Sequence, residues 1–326
     1  MEKKYFSKLG LMYFIGAIVI YAVQLIAIGI GNAVIPQYMS DGSIATAVYM
    51  IPTYLISYPI MIALISRVPV EQEVIEKKKM TVGQWIVAFI MSYALVYICN
   101  IIGSVITAII GVFKQSAVEN PILNVTMEMN TLTTFIIMVI CAPIVEEIIF
   151  RKLLIDRASK YGEGLAILLS GTMFGLFHAN LNQFMFTFVM GCFYGFIYTR
   201  TRNVIYSILL HMLNNFIASI LSMFVLRKSG FLELSVAVQT ESAEELTSLM
   251  MANISGILLY VGYVMLLLVV VITGVILLIV KRKKFYVNHT ADELPKGQRF
   301  SAVILNVGML LFCALMIFQI VQQLLA

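Results

Sequence analysis

The sequence predicts an all-α polytopic membrane protein, a bundle of about nine (eight to nine) transmembrane helices. Hydrophobic residues make up 61% of the 326 residues and charged residues only 12%, whereas an ordinary soluble domain carries about 25% charged residues. The apolar residues also fall into long blocks, and about 20 apolar residues in a helix cross a bilayer core. Helices satisfy their own backbone hydrogen bonds in lipid, which open strands cannot do. Length, composition and backbone chemistry therefore agree on the fold class.

Nine apolar blocks define the predicted spans. Blocks five and six are short for a complete crossing, so the expected count is eight to nine. The approximate bounds of the blocks are 10–34, 43–66, 84–112, 131–150, 164–179, 182–199, 203–225, 251–280 and 302–325.

The placement of basic residues predicts the orientation of these spans. Short cytoplasmic loops carry an excess of Lys and Arg. With a cytoplasmic N-terminus, nine alternating spans make every inner segment basic, and the outer loops hold only Lys114, Arg227 and Lys228. The inner cations include Lys3, Lys4, Lys8, Arg67, Lys77, Lys78, Lys79, Arg151, Lys152, Arg157, Lys160, Arg200, Arg202, Lys281, Arg282, Lys283 and Lys284. We expect an integral protein of the plasma membrane, and this topology accounts for the net charge of +5 without a nucleic-acid partner.

A small set of polar residues inside the spans carries the candidate chemistry. An ionisable side chain at the bilayer centre costs about 2.5–3.5 kcal/mol on insertion scales, so each one is a hypothesis of function. The fourth block ends in a pair of glutamates, and two of the three histidines of the chain lie within blocks five and seven. The residues concerned are Glu146, Glu147, Arg151, His178, His211 and Asn215.

Helix geometry predicts that these residues cluster. Glu146 and His178 are equally far along the chain from Gly162, where an antiparallel hairpin of spans four and five turns. Both would then lie about 24 Å from the turn, at one level. Asn215 follows His211 by one helical turn and shares its face. His211 itself lies only about ten residues from its own turn, so its depth matches the other two only if the helices tilt.

Such a cluster suits hydrolysis of an amide bond by water. A carboxylate beside a histidine can activate water as a general base, and an imidazole with an amide can stabilise an oxyanion. Glu146, His178 and His211 are also good ligands for zinc. A zinc site and metal-free activation of water therefore both stay open, although no H-E-x-x-H motif is present.

Three ordered motifs resemble those of the CPBP family, that is, the Abi or type II CAAX prenyl endopeptidase family of intramembrane proteases. Pro143 before the glutamates, Gly175, and the run TRTRNVIYSILLH before His211 add to the resemblance, which covers roughly residues 130–220. The motifs are Glu146-Glu147-x-x-x-Arg151, Phe174-x-x-x-His178 and His211-x-x-x-Asn215. Residues 131–225, with spans four to seven, would then be the catalytic core. Residues 1–130 would hold spans one to three, and residues 226–326 a polar loop with spans eight and nine.

The resemblance implies a role for each motif residue. Glu146 would be the base that activates water, helped by His178, while His211 and Asn215 would stabilise the oxyanion. Glu147, Arg151 and Phe174 would support the site. The implied substrate is a peptide or protein associated with the bilayer, such as a prenylated CAAX protein or a bacteriocin-type peptide.

Two other functions stay open on the sequence. The protein would act as a scaffold, immunity or regulatory protein if it kept the fold without cleaving. It would act as a proton-coupled transporter if the buried Glu and His side chains relayed protons, although transporters typically show repeats and broken helices, which this sequence does not.

Two structural motifs complete the sequence-based expectations. Gly191 and Gly195 predict close packing of span six, which we expect against span seven. Ser242 and Glu245 predict a capping box at the start of span eight.

Overall fold

The computed structural model describes residues 1–70, 77–240 and 242–325, and these residues form a helical bundle without strands. Nine apolar helices build it, and we number them in chain order. They are α1 (Glu2–Val34), α2 (Gly42–Ser66), α3 (Val82–Lys114), α4 (Thr131–Tyr161), α5 (Glu163–Phe177), α6 (Leu181–Thr201), α7 (Val204–Lys228), α8 (Ile254–Val280) and α9 (Val307–Leu325).

The predicted span count is confirmed. Within the described part of the chain, eight helices are long and apolar enough to cross a membrane, and the ninth, α5, is shorter. Its 15 residues rise about 22 Å, which falls short of a bilayer core of about 30 Å. Four shorter helices lie between the spans: Pro121–Glu128, Phe231–Thr240, Ala243–Ala252 and Lys296–Val303.

The boundaries of two predicted spans need correction. The fourth span does not end at residue 150, because α4 continues to Tyr161. Arg151 lies within this helix, and its side chain is fully buried. Hydropathy places the end of a span at the first cation, whereas a carboxylate one turn earlier lets this cation stay inside the bundle. The predicted capping box of Ser242 and Glu245 is present. It starts the helix Ala243–Ala252, however, and α8 begins separately at Ile254.

The segments that are predicted to be cytoplasmic share one end of the bundle, which we call the basic end. The hydrogen bonds that join segments there include Tyr5 OH to the Pro69 carbonyl at 2.8 Å, Lys78 N–H to the Thr201 carbonyl at 2.9 Å, and Leu294 N–H to the Tyr161 carbonyl at 3.0 Å. At the opposite end, the Asn130 N–H donates to Ser43 Oγ at 2.8 Å. The alternation of the spans therefore matches the charge pattern, and the cytoplasmic facing of the basic end stays a prediction.

The glycines of α6 pack against α5, so the expected contact with span seven is wrong. A Cβ placed on Gly191 would lie 2.8 Å from Gly171 Cα, and one on Gly195 would lie 3.2 Å from the Ile155 side chain of α4. The link between α5 and α6 is only a few residues long, which holds α6 antiparallel beside α5. Small residues then let the two backbones approach.

The helix α4 contains two π-helical segments, Phe135–Cys141 and Ile148–Leu153. They bracket the α-helical turn Ala142–Glu147, which carries both glutamates. Such bulges are frequent at functional sites because they leave backbone groups unpaired and rotate the side chains that follow. The Tyr13 hydroxyl of α1 donates to the carbonyl of Ile149 at 2.7 Å. Neighbouring helices therefore help to hold the irregular backbone of α4.

Candidate active site

His211 of α7 lies between the two glutamates of α4. Its Nδ1 is 3.0 Å from Glu147 Oε1, and its Nε2 is 3.8 Å from Glu146 Oε2. The side chain of Glu147 is fully buried and that of His211 is 3% exposed, whereas that of Glu146 is 14% exposed. The structure thus brings together three of the residues that the sequence selects, and Glu146 is the carboxylate that an incoming molecule can reach.

Glu147 is also paired with Arg151, one turn further along α4. Arg151 Nη2 lies 3.0 Å from Glu147 Oε1, and both side chains are fully buried. The guanidinium carbon lies 4.3 Å from the centre of the Phe174 ring, a cation–π distance. A buried charge needs such compensation, since an isolated ion in a low-dielectric interior is costly. Glu147 is therefore committed to both Arg151 and His211.

Phe174 of α5 joins the two histidines. Its ring is perpendicular to that of His178 at 4.7 Å between centroids, and to that of His211 at 5.9 Å. The sequence spacing predicts different depths for the two imidazoles unless the helices tilt, but in the structure both imidazoles contact the ring of Phe174. Phe174 precedes His178 by one helical turn and fills the space between them.

His178 lies just after α5 ends at Phe177, before Ala179 reverses the chain with a φ of 51°. His178 Nδ1 lies 2.8 Å from the carbonyl of Phe174. Because a carbonyl only accepts, Nδ1 is the donor and carries the proton. The Nε2 lone pair of a neutral His178 is thereby directed away from the α5 backbone.

Two adjacent amides on α7 have different partners. Asn215 Nδ2 donates to the carbonyl of Met138 in α4 at 2.8 Å. Asn214 is buried, and its Nδ2 lies 2.8 Å from the Tyr194 hydroxyl and 3.1 Å from Ser92 Oγ. The Tyr194 ring in turn packs against His211 at 5.8 Å.

Sequence analysis missed this network of Asn214, Tyr194 and Ser92. The adjacency of Asn214 to Asn215 is the signal that could have drawn attention to it. Ser92 lies in an apolar span without a motif, so nothing local indicates it.

The three residues considered as zinc ligands, Glu146, His178 and His211, do not form a ligand set. No group of three His, Cys, Asp or Glu side chains that could hold a metal occurs among the described residues. Nδ1 of each histidine is engaged, by Glu147 in one case and by the Phe174 carbonyl in the other, which leaves each Nε2 available and does not itself exclude a metal. Tetrahedral zinc needs its protein ligands to converge at about 2.0–2.2 Å. The arrangement does not fit this ion, and no step below passes through it.

An apolar groove of about 490 Å³ lies between helices α3, α4 and α7. It lies between the start of α3, the first π segment of α4 and the helix of His211. Val139 and Ile140 belong to α4 about two turns before Glu146, and Met212 follows His211 directly. The full lining is Met80, Val82, Trp85, Phe135, Val139, Ile140, Tyr206, Leu209, Met212, Leu213 and Phe216. The groove is formed by the same two helices, α4 and α7, that carry the glutamates and His211, but none of these three residues lines it.

Comparisons with known proteins match the segment of the chain that carries these residues. Residues 128–217, which contain all three motifs, match the family described as Type II CAAX prenyl endopeptidase Rce1-like. The protein named "Putative membrane peptidase YdiL" of Bacillus subtilis (strain 168) is 32% identical over 117 residues, which are 36% of this chain and 47% of that protein. The chain thus spans about half the length of this curated relative. No solved structure matches the chain.

Fold and comparisons together define a class, the integral membrane proteins, and within it they support a membrane protease in general. The resemblance to the type II CAAX prenyl endopeptidase family is confirmed over residues 128–217.

Proposed function

We propose that this protein is an intramembrane endopeptidase, which uses water activated by Glu146 to hydrolyse a peptide bond of a membrane-associated substrate. The observation that carries the proposal is the contrast between the two adjacent carboxylates. Glu147 is fully buried between Arg151 and His211, whereas Glu146 is partly exposed and, among the residues that the structure describes, has its one ion-pair contact with the imidazole of His211. A carboxylate without a fixed cation is the one free to take a proton.

Glu146 acts as the general base in this mechanism. It takes a proton from water as the water oxygen attacks the carbonyl carbon of the scissile bond. The same carboxyl group then gives the proton to the leaving amine, and the carbon–nitrogen bond breaks. His178 helps to hold the attacking water through Nε2, because its Nδ1 is engaged by the Phe174 carbonyl.

His211 stabilises the oxyanion that forms in this attack. Glu147 accepts the hydrogen bond from Nδ1 and so fixes the orientation of the ring, and the Nε2–H of the doubly protonated ring can then donate a hydrogen bond to the developing charge, without transfer of the proton. Arg151 and Phe174 hold Glu147 and both imidazoles in place. Asn215 is the second oxyanion donor that the family resemblance implies.

The proposed substrate is a peptide or protein held at the bilayer by an apolar segment or a lipid. The apolar groove between α3, α4 and α7 supports this choice, since its lining is almost entirely apolar and its volume is about 490 Å³. A prenylated CAAX protein and a bacteriocin-type peptide both have this character. We further propose a plasma-membrane location with the N-terminus and the basic end in the cytoplasm, on the strength of the charge pattern.

Cleavage of a membrane-tethered peptide library by the purified protein tests the proposal. Glu146→Ala and His178→Ala should each lower the rate by about 10²–10⁴-fold, the usual contribution of general acid–base catalysis. Glu128→Gln and His289→Ala serve as matched controls, since both residues are outside the spans, and should cleave like wild type. Unchanged cleavage in both site variants would overturn the assignment. Stoichiometric zinc that is lost in His178→Ala would revive the metal alternative.

A further inference from the structure

The carbonyl of Met138 lacks a backbone donor because of Pro143. In the first π segment of α4, the Ala142 N–H donates to the carbonyl of Ile137, five residues earlier. The next donor in this register belongs to residue 143, and its acceptor would be Met138. Proline has no N–H. The sequence itself thus leaves one backbone carbonyl without a backbone donor, about two turns before the glutamates.

The side chain of Asn215 takes the place of this missing donor. Its Nδ2 lies 2.8 Å from the Met138 carbonyl, and in lipid an unpaired carbonyl is costly because no water replaces the bond. Asn215 lies one turn after His211 on α7. A single hydrogen bond therefore joins the helix that carries His211 to the break that precedes Glu146.

Two other carbonyls of α4 accept hydrogen bonds from side chains of helices other than α7. Tyr54 of α2 donates to Ile137 at 3.4 Å, and Ser170 of α5 donates to Phe150 at 2.7 Å. Asn215 differs from these two donors because it lies on α7, the helix that carries His211. The hydrogen bond from Asn215 to Met138 can therefore set the separation of Glu146 and His211, which is 3.8 Å between Glu146 Oε2 and His211 Nε2.

We propose that Asn215 is a positioning residue, which fixes Glu146 against His211 by binding the carbonyl that Pro143 leaves free. This inference rests on the proposed function. The Nδ2 group has two hydrogens, and only one is needed for Met138. The bond to the Met138 carbonyl therefore fixes the direction of the second Nδ2 hydrogen of Asn215. Pro143 and Asn215 act as a pair, because one leaves this carbonyl free and the other binds it.

A double-mutant cycle of Pro143→Ala and Asn215→Leu tests this pairing. Alanine at 143 supplies the missing N–H, so the Met138 carbonyl no longer depends on Asn215. We expect Asn215→Leu alone to lower kcat about 100-fold with KM nearly unchanged, and the double variant to recover about tenfold of that loss. The loss of thermal stability in detergent should likewise be smaller in the Pro143→Ala background.

Two further variants sharpen the cycle. Asn215→Asp keeps the shape but removes the donor, so its loss should equal or exceed that of Asn215→Leu. Ser219→Ala is the matched control, because the Ser219 hydroxyl donates to the carbonyl of Asn215 within α7 itself, and it should show no coupling to Pro143→Ala.

Each result has a defined consequence. Additive losses in both kcat and Tm would overturn the pairing and leave Asn215 with a direct role on the oxyanion alone. Coupled Tm values in a protein that cleaves no peptide would support the bond between Asn215 and Met138 and overturn the proposed function instead. The two failures are therefore distinguishable.

Discussion

Carboxylates occupy two inner regions of the bundle, the basic end and the surroundings of His211, and their partners differ. At the basic end, Asp156 pairs with Lys152, accepts a hydrogen bond from the Tyr198 hydroxyl at 2.7 Å, and lies 3.4 Å from Arg202 Nη1. Around His211, two carboxylates share one arginine and one imidazole. Asp156 thus has fixed cations of its own, whereas the two carboxylates at the site share a single arginine.

Glu163 shows the same balance as Asp156. This buried side chain lies 3.4 Å from Arg200 Nη1 and accepts the Asn288 N–H at 2.5 Å. Glu147 resembles these two residues, since Arg151 and His211 bind it. Glu146 is the exception. We infer that a carboxylate with fixed cations stabilises the bundle, while one without them is free to exchange a proton.

Neutralising Glu146 and Glu163 in turn tests whether the two kinds of carboxylate have different roles. We expect Glu146→Gln to lower kcat by about 10²–10⁴-fold, with little loss of stability because no fixed cation is left unpaired. Glu163→Gln should lower the thermal stability and leave kcat nearly unchanged, since it leaves Arg200 without its carboxylate. Steady-state kinetics and thermal unfolding in detergent measure both. A stable, fully active Glu146→Gln protein would contradict the distinction.

The pair of Glu147 and Arg151 should dominate stability within the site. Replacing either partner alone, as in Glu147→Gln or Arg151→Met, should cost about 3–5 kcal/mol because it leaves a buried charge uncompensated. The double variant should regain much of this loss. Denaturant unfolding of the four proteins gives the coupling free energy. Equal losses in the single and double variants would show that the pair is not a unit.

Phe174 should matter more than the corresponding aromatic residue at the basic end. Phe174→Leu removes the ring beneath Arg151 and between both imidazoles, and should cost about 1–2 kcal/mol together with a fall in kcat. Phe196 is the matched control, because Arg200 lies 5.0 Å from its ring. Phe196→Leu should lower the Tm slightly and leave kcat intact. A fall in kcat for both variants would remove the special role of Phe174.

Much of this fold follows from the sequence, because apolar length and charge placement are local quantities. The spans, their alternation and the selection of Glu146, His178 and His211 need only the cost of burying polar groups in lipid. The packing partner of Gly191 does not follow, since it depends on which helix the link at residues 178–180 places beside α6.

The π segments of α4 could be foreseen only in part. Pro143 indicates an irregular helix, but not the register that leaves Met138 free. The bond from Asn215 and the contacts among Ser92, Tyr194 and Asn214 join helices far apart in the chain. Local patterns carry no information on such contacts, so the motifs find the residues of the site without their geometry.

The smallest expected effect concerns a carboxylate of the basic end that lies outside the spans. His289 Nδ1 donates to Glu293 Oε2 at 2.6 Å, and Arg299 Nη2 lies 2.5 Å from Oε1. The hydrogen bond from His289, with the charge of Arg299, holds the pKa of Glu293 below its ordinary value. A depressed pKa in the folded state means that the stabilisation is complete above the ordinary pKa of about 4.3 and is lost as the pH falls through the folded value.

Acid should therefore loosen the segment 289–299, in which Glu293 binds His289 and Arg299 and Leu294 donates to the turn after α4. Hydrogen exchange at the amide of Leu294, which donates to the Tyr161 carbonyl, measures this loosening. Protection should fall below about pH 4 in the wild type, whereas in Glu293→Gln it should already be low and vary less with pH. The effect should be small and weaken in high salt, as is usual for exposed ion pairs. Identical pH profiles for the two proteins would show that Glu293 does not hold this segment, and would leave Asp156 and Glu163 as the carboxylates that balance charge at the basic end.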